Sequence, residues 1–251
     1  MAWNLFEKRL VLQQNVAYFC VKFNILMTAF ANQPKLGYGI FTVADVAEIL
    51  RLPVEKVRRW LKEYWDLQLV PGSGHRNSWG ERKDKPVNFY ALVEFYVFYE
   101  LRCHGVPVSR IVKSHKLLRQ QFDTPYPFAS YRIMTDGRAI LFSPDGGESV
   151  VDAQSGFQYN LKEVIEDFVK KIDFGTEDQV AQRLYPSGKN RSIVVDPHHQ
   201  FGQPVVKGTN ILASVLHSMY KSGEKLDFIA AVYGLKKQAV KDAIQFYQKA
   251  A

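Results

Sequence analysis

Cysteine is scarce in this chain of 251 residues, and the two present, Cys20 and Cys103, stand far apart in apolar surroundings. Neither sits in a CxxC spacing or at a metal-ligand interval from a histidine. That excludes a disulfide framework and a cysteine-held zinc site, and it predicts two buried, reduced thiols of the kind found in cytosolic proteins. Enzyme signatures are missing too. No GxSxG, HExxH or GxGxxG occurs in a usable context, and PSGKNRS at 186–192 lacks the upstream glycine of a phosphate-binding loop. His198 and His199 are adjacent in sequence, so a helix or strand would not turn both toward one metal, and no acid or cysteine cluster completes a site. Asp173, Glu177 and Asp178 could be imagined as a nuclease-like metal cluster, but the solvated start of a helix is the better reading. The chain is therefore expected to have no catalytic centre, metal or cofactor. Long apolar runs are absent as well. Gln13, Gln14, Asn15, Lys22 and Asn24 interrupt the apolar first 30 residues before membrane-spanning length, so no signal peptide, anchor or membrane partner is expected.

Positive charge, by contrast, is plentiful. Lys and Arg outnumber Asp and Glu by 33 to 25, a formal charge of +8 that suits a polyanionic partner. Between Arg51 and Lys85 nine basic residues face five acidic ones, so half the net charge lies on one-seventh of the chain.

The same stretch has the clearest pattern. Thr42 and Asp45 fit the first and last positions of a capping box, and Val43, Val46, Ala47 and Leu50 fall on one helical face. Arg51-Leu52-Pro53 breaks that helix. Val54, Val57, Leu61 and Tyr64 then form a second apolar stripe, which leaves Glu55, Lys56, Arg58, Arg59, Lys62 and Glu63 outward. A polar, glycine-containing basic stretch between Leu69 and Pro86 reads as a mobile β-wing. An aromatic helix follows from Phe89 to His104, with Gly105 as its C-cap, and Pro107 opens another helix to about Phe122. Two short helices, a wing and a third helix are how a winged helix-turn-helix offers one helix to the major groove of double-stranded DNA. Lys56 and Arg59 are the candidates for base edges, and Arg58, Lys62, Arg76 and Arg82 for phosphates, with Lys83 in the same basic stretch. A merely solvated charged face is the competing reading. Trp60 is expected to pack against the fold. The rings of Phe89, Tyr90, Phe95, Tyr96, Phe98 and Tyr99 fall on nearly all sides of their helix, which points to core more than to a base-stacking platform.

Residues 1–36 form an apolar extension with helical spacing at Leu5, Val16, Cys20, Phe23 and Met27, suited to packing or, less so, to a dimer contact. The first expected unit is 37–123. Thr124-Pro125-Tyr126-Pro127 reads as a linker. A connector at 129–190 then holds strand-like runs at 131–134, 139–142 and 149–151, a β-meander, followed by helical spacing at 161–171. The last unit, 191–251, has a strand at 193–196, a Gly/Pro-rich loop to Gly208 and three short helices at 211–222, 225–233 and 236–249, the last two joined at Gly234 in a helix-turn-helix outline. The fold class expected is mainly α with small β elements.

Two resemblances rest on these residues. The stretch 41–122 resembles the DNA-binding domain of MerR-like regulators in its VRRW core ending at Trp60, its wing and its LRCHGVPVSRI segment, although Arg51 stands where a turn glycine is usual and Pro53 where a capping serine is usual. The stretch 193–247, with DPHHQFGQPVVKGTNI from Asp196 to Ile211, resembles a small bacterial domain of unknown function with the signature GxPVIxGTRI. Gly202, Pro204, Gly208 and Thr209 match it, and Asn210 replaces the usual arginine. Members of that family are commonly proposed antitoxins encoded beside toxins resembling PIN-domain ribonucleases. The resemblance therefore implies a non-catalytic type II antitoxin that binds its own promoter and neutralises a toxin; a homodimer is expected because one short recognition helix gives limited specificity. Gly202, Pro204, Gly208, Thr209 and Asn210, with Lys236 and Lys237, are the candidate partner-binding residues. A protein-interaction module in which both helix-turn-helix units bind protein is the alternative.

Overall fold

The computed structural model describes residues 37–69, 78–79, 85–130, 132–135, 140–143, 151–153, 169–175 and 180–248. The 1–36 extension, Cys20, the wing tip with Arg76, Arg82 and Lys83, Glu177 and Asp178, and most of the 161–171 segment lie outside them. The described architecture is mainly helical with small antiparallel sheets.

Helix α1, Val43–Leu50, starts as its sequence dictates: Asp45 N–H donates to Thr42 Oγ1 (3.1 Å) while Thr42 N–H donates to Asp45 Oδ2 (2.8 Å), so each end of the capping box satisfies a donor left over at the helix start. Arg51 closes it in the left-handed region, at φ 55° and ψ 48°. Helix α2, Val54–Trp60, follows behind Pro53 and widens into a π-turn at Leu61–Trp65, where Asp66 N–H reaches back five residues to the Leu61 carbonyl (2.8 Å). That extra residue per turn shifts which side chain faces inward. Trp65 is buried and stacks on Phe95 with ring centres 4.0 Å apart, Tyr64 is half-buried against Phe98, and Val54 stays 38% exposed, so the expected stripe gains Trp65 and is corrected at Val54. Trp60 is buried against Phe98.

Phe41 and Val87 exchange backbone hydrogen bonds (2.9 and 2.8 Å), and Ser78 bridges to Val87, so the described ends of the segment expected to form a wing are tied to the start of α1. Asn88 caps α3, Phe89–Cys103, whose sides are nearly all covered. Cys103 lies in the last turn of α3, where the helix leaves the core, and its thiol is exposed, contrary to the expectation of burial. Helix α4, Val108–Phe122, and the one-turn α5, Pro127–Ser130, complete this half. The stretch with the linker-like prolines is packed: Phe128 and Ala129 are buried.

One buried carboxylate organises these three helices. Glu94 of α3 is wholly inaccessible. Its Oε1 accepts the Phe128 (2.7 Å) and Ala129 (3.3 Å) N–H groups at the start of α5, and its Oε2 lies 2.7 Å from Nε2 of the equally buried His115 on α4.

The β-meander is present as β1 (Arg132–Thr135), β2 (Ile140–Ser143) and β3 (Val151–Asp152), antiparallel in chain order. A second hairpin pairs β4 (Ile172–Phe174) with β5 (Ala181–Leu184). Asp173 therefore stands on a strand, not at a helix start. Burial works against its ionised form, but the Lys189 ammonium (2.6 Å) and the Tyr185 hydroxyl (2.8 Å) outweigh it and hold the carboxyl below its ordinary pKa. Strands β6 (Ile193–Val194) and β7 (Val205–Val206) pair next, and the Leu184–Val195 bridge joins them to β5. Helices α6 (Ala213–Lys221), α7 (Leu226–Tyr233) and α8 (Lys237–Gln248) end the described chain. Buried side chains from Phe41 to Phe246 form one contiguous core across both halves.

Replacing Glu94 by Ala leaves His115 and two N–H groups buried without their acceptor. Urea unfolding of Glu94→Ala is expected to show a loss of about 3–5 kcal/mol; an unchanged midpoint would mean that this carboxylate is not what ties α3, α4 and α5 together.

Candidate nucleic-acid and partner interface

The outward side of α2 and its π-turn holds four of the basic residues singled out above. Arg59 and Lys62 are exposed. Arg58 is ion-paired with Glu55. Lys56 lies half-buried, its ammonium 4.9 Å above the Trp60 ring and 5.5 Å above that of Tyr99, an attraction that holds it against the aromatic surface of α3. With Glu55 and Glu63 also exposed, the face is mixed in sign, and Arg59 and Lys62 are its most exposed cations. The wing base beside it is fixed by Asp66, which accepts from Ser78 Oγ (2.9 Å) and Lys85 Nζ (3.1 Å).

The GxPVxxGT loop builds the C-terminal half. Gly202 adopts φ 86°, and a Cβ there would lie 2.5 Å from Cζ of Phe41. Only glycine supplies both that backbone conformation and that space. The carbonyl of Pro204 accepts the Ala213 N–H (2.9 Å) at the start of α6. Gly208 needs φ 77° for its turn but faces open space. Thr209 Oγ1 donates to the Val206 carbonyl (2.9 Å) and accepts the Ile211 N–H (3.1 Å), which locks the turn before α6. Gly202 and Pro204 are buried, and the loop meets solvent through Phe201, Lys207, Gly208 and Asn210. Asp242 anchors the loop's first strand to α8. Burial disfavours its charge, yet donors from Gln238 (2.9 Å), the Ser192 N–H (2.9 Å) and Arg191 (2.9 Å) hold its carboxyl below the ordinary value. Asp196 is held low in the same way: Arg183 and the His198 N–H (2.9 Å each), with His199 nearby, overcome its burial.

Two exposed surfaces emerge on the last three helices. On α6 and α7, Val215, Tyr220, Phe228 and Val232 are solvent-facing, Phe228 and Val232 by half or more of their surface. Sequence reasoning missed these exposed apolar residues. Their signal was LDFIAAVY, a helix with apolar residues on more sides than one core covers. Along α8, Lys237, Gln238, Lys241, Gln245 and Gln248 are exposed at helical spacing, and Lys236 is exposed just before it. Lys237 also pairs with Asp227 of α7 (2.8 Å). Among the described residues no group of three or more His, Cys, Asp or Glu side chains is arranged to hold a metal, and no helix is long and apolar enough to cross a membrane.

Residues 193–247 match the family described as "Protein of unknown function (DUF433)". Over 167 residues the chain is 28% identical to "Putative antitoxin VapB45" of Mycobacterium tuberculosis (strain ATCC 25618 / H37Rv), covering 62% of this chain and 69% of that protein. A protein named as an antitoxin is thus among its relatives. The chain is also 26% identical over 233 residues to "Uncharacterized protein Rv2308" of the same organism, covering 85% of this chain and 92% of the relative. In fold it is similar to the X-ray crystal structure of Rv2018 from Mycobacterium tuberculosis, with a TM-score of 0.58 at 19% identity over 81% of this chain and 96% of that one.

The two loop glycines separate backbone strain from packing. Gly208→Ala is expected to cost about 1 kcal/mol, from the left-handed backbone alone. Gly202→Ala adds a clash with Phe41 and should cost about 1–3 kcal/mol more. Thermal unfolding of the two variants checks this, and equal losses would remove the Phe41 contact from the explanation.

Proposed function

We propose that this chain is the antitoxin of a type II toxin–antitoxin pair, a non-catalytic protein that neutralises a PIN-like ribonuclease and represses its own promoter as a homodimer. The observation that carries the reading is the 167-residue similarity to the antitoxin-named relative. Two surfaces suit its two tasks. Arg59 and Lys62 on α2, at the base of the basic wing, suit the DNA backbone and base edges. Phe228 and Val232, exposed one turn apart on α7, with the exposed lysines of α8, suit a partner that offers both apolar and acidic surface. A single short recognition helix discriminates poorly, so two copies on half-sites about 34 Å apart are the natural arrangement.

One observation favours the alternative, a module that binds only protein: Lys56 and Arg58 are engaged within the chain, and Glu55 and Glu63 dilute the charge of the α2 face.

The tasks separate by mutation. In mobility-shift titrations against DNA from upstream of the start codon, Arg59→Ala with Lys62→Ala should weaken binding and lower the salt slope by about 2, yet leave co-purification with the product of the neighbouring reading frame intact. Phe228→Asp with Val232→Asp should abolish co-purification and spare the DNA shift. Folded protein that gives no specific shift at low salt but holds its partner would establish the protein-only module.

A further inference from the structure

Arg51 stands in a left-handed turn where any residue with a Cβ is strained, and the side chain placed there reaches across to the C-terminal half. Its Nη2 donates to Ser187 Oγ (3.0 Å), and its guanidinium lies 5.8 Å from the centre of the Phe246 ring. At that point it lines a cleft of about 220 Å³ together with Lys171, Ser187, Arg191, Asp242 and Gln245. Three cations converge on this space. Their counter-charges are Asp242, already satisfied by Gln238, the Ser192 N–H and Arg191, and Glu100, 3.6 Å from the Lys171 ammonium. The cleft is net positive.

Its walls are also rich in donors. A guanidinium has five N–H groups. The hydrogen bonds assigned to Arg51 and Arg191 in this cleft use one nitrogen of each, Nη2 on Ser187 and Nη1 on Asp242 and Gln245 (3.5 Å). Ser187, accepting from Arg51, has its own O–H to donate. It sits in the PSGKNRS turn, which is fixed by Gly188 N–H to the Tyr185 carbonyl (2.9 Å) and Arg191 N–H to the Gly188 carbonyl (3.0 Å). Those two N–H groups are spent inside the turn, whose Ser187 and Arg191 side chains line the cleft.

We propose that this cleft binds a phosphate group, free or carried on a small molecule, with Arg51 and Arg191 as its guanidinium clamps, Lys171 as a point charge and Ser187 as a hydroxyl donor. Occupied, it joins the turn between α1 and α2 to α8, because Arg51 belongs to that turn, Gln245 belongs to α8, and Arg191 is held to α8 through Asp242.

Isothermal titration of the full chain in chloride buffer, with inorganic phosphate, glycerol phosphate and adenosine monophosphate as probes, tests this. Saturable one-to-one binding is expected, weakened at least tenfold in Arg51→Gly and several-fold in Lys171→Met. Arg51→Gly relieves the turn, so it should stay folded with a melting temperature within a few degrees of the parent. Tighter binding of an ester than of inorganic phosphate would place the group on a small molecule, and equal binding would make it free phosphate. No saturable heat, equal affinity in all three proteins, or a preference for glutarate over every phosphate would overturn the proposal.

Discussion

The contact on which this structure turns is that between the Phe41 ring and the bare backbone of Gly202. Phe41 is wholly buried. Its main chain holds the wing base through Val87, the residue after it caps α1, and its ring fills the space a side chain at Gly202 would take. The neighbouring Ile40 N–H donates to the Phe201 carbonyl (2.9 Å), so main chain and ring act together across a gap of some 160 positions in sequence. Hydrophobic burial has no direction, but a close approach of ring to backbone has one, and it sets how the two halves face each other.

A shared core explains why surfaces far apart in sequence can serve one protein. The α2 face, the turn at Arg51 and the exposed helices α6 and α7 all hang on the same cluster of buried side chains. Arg51 adds a polar tie beside the apolar one, joining the end of α1 to Ser187 and Phe246. In the reading proposed above, a partner on α7 and DNA on α2 would meet a single body, and binding at one would be felt at the other only as far as it favours one arrangement of that body.

What could be read from the sequence was local and periodic. The Thr42–Asp45 capping box, the aromatic α3 buried on nearly all sides, the β-meander and the three last helices each declare themselves within a dozen residues. The features that escaped depend on distant partners or on irregular geometry. The π-turn after Trp60 has no composition signal, and within it Trp65 is buried beside the half-buried Tyr64. Glu94 reads as one acid in an apolar helix until α4 and α5 bring His115 and two N–H groups to it. The β4–β5 hairpin is short and polar, so Asp173 resembled the start of a helix. The loop motif was legible as a pattern, but that Gly202 answers to Phe41 and Thr209 to its own turn could be learned only from the fold. Arg51 was visible as a departure from glycine, with no hint of what its side chain would touch.

The claim that both halves share one core is tested most directly by unfolding the full chain in urea while following tryptophan fluorescence and far-ultraviolet ellipticity together. All four tryptophans, at 3, 60, 65 and 79, precede the C-terminal half, whereas ellipticity reports helices in both. The account predicts one superimposable transition from the two probes. A second ellipticity step that fluorescence does not see would contradict it, because the C-terminal helices would then be standing without the Phe41 contact.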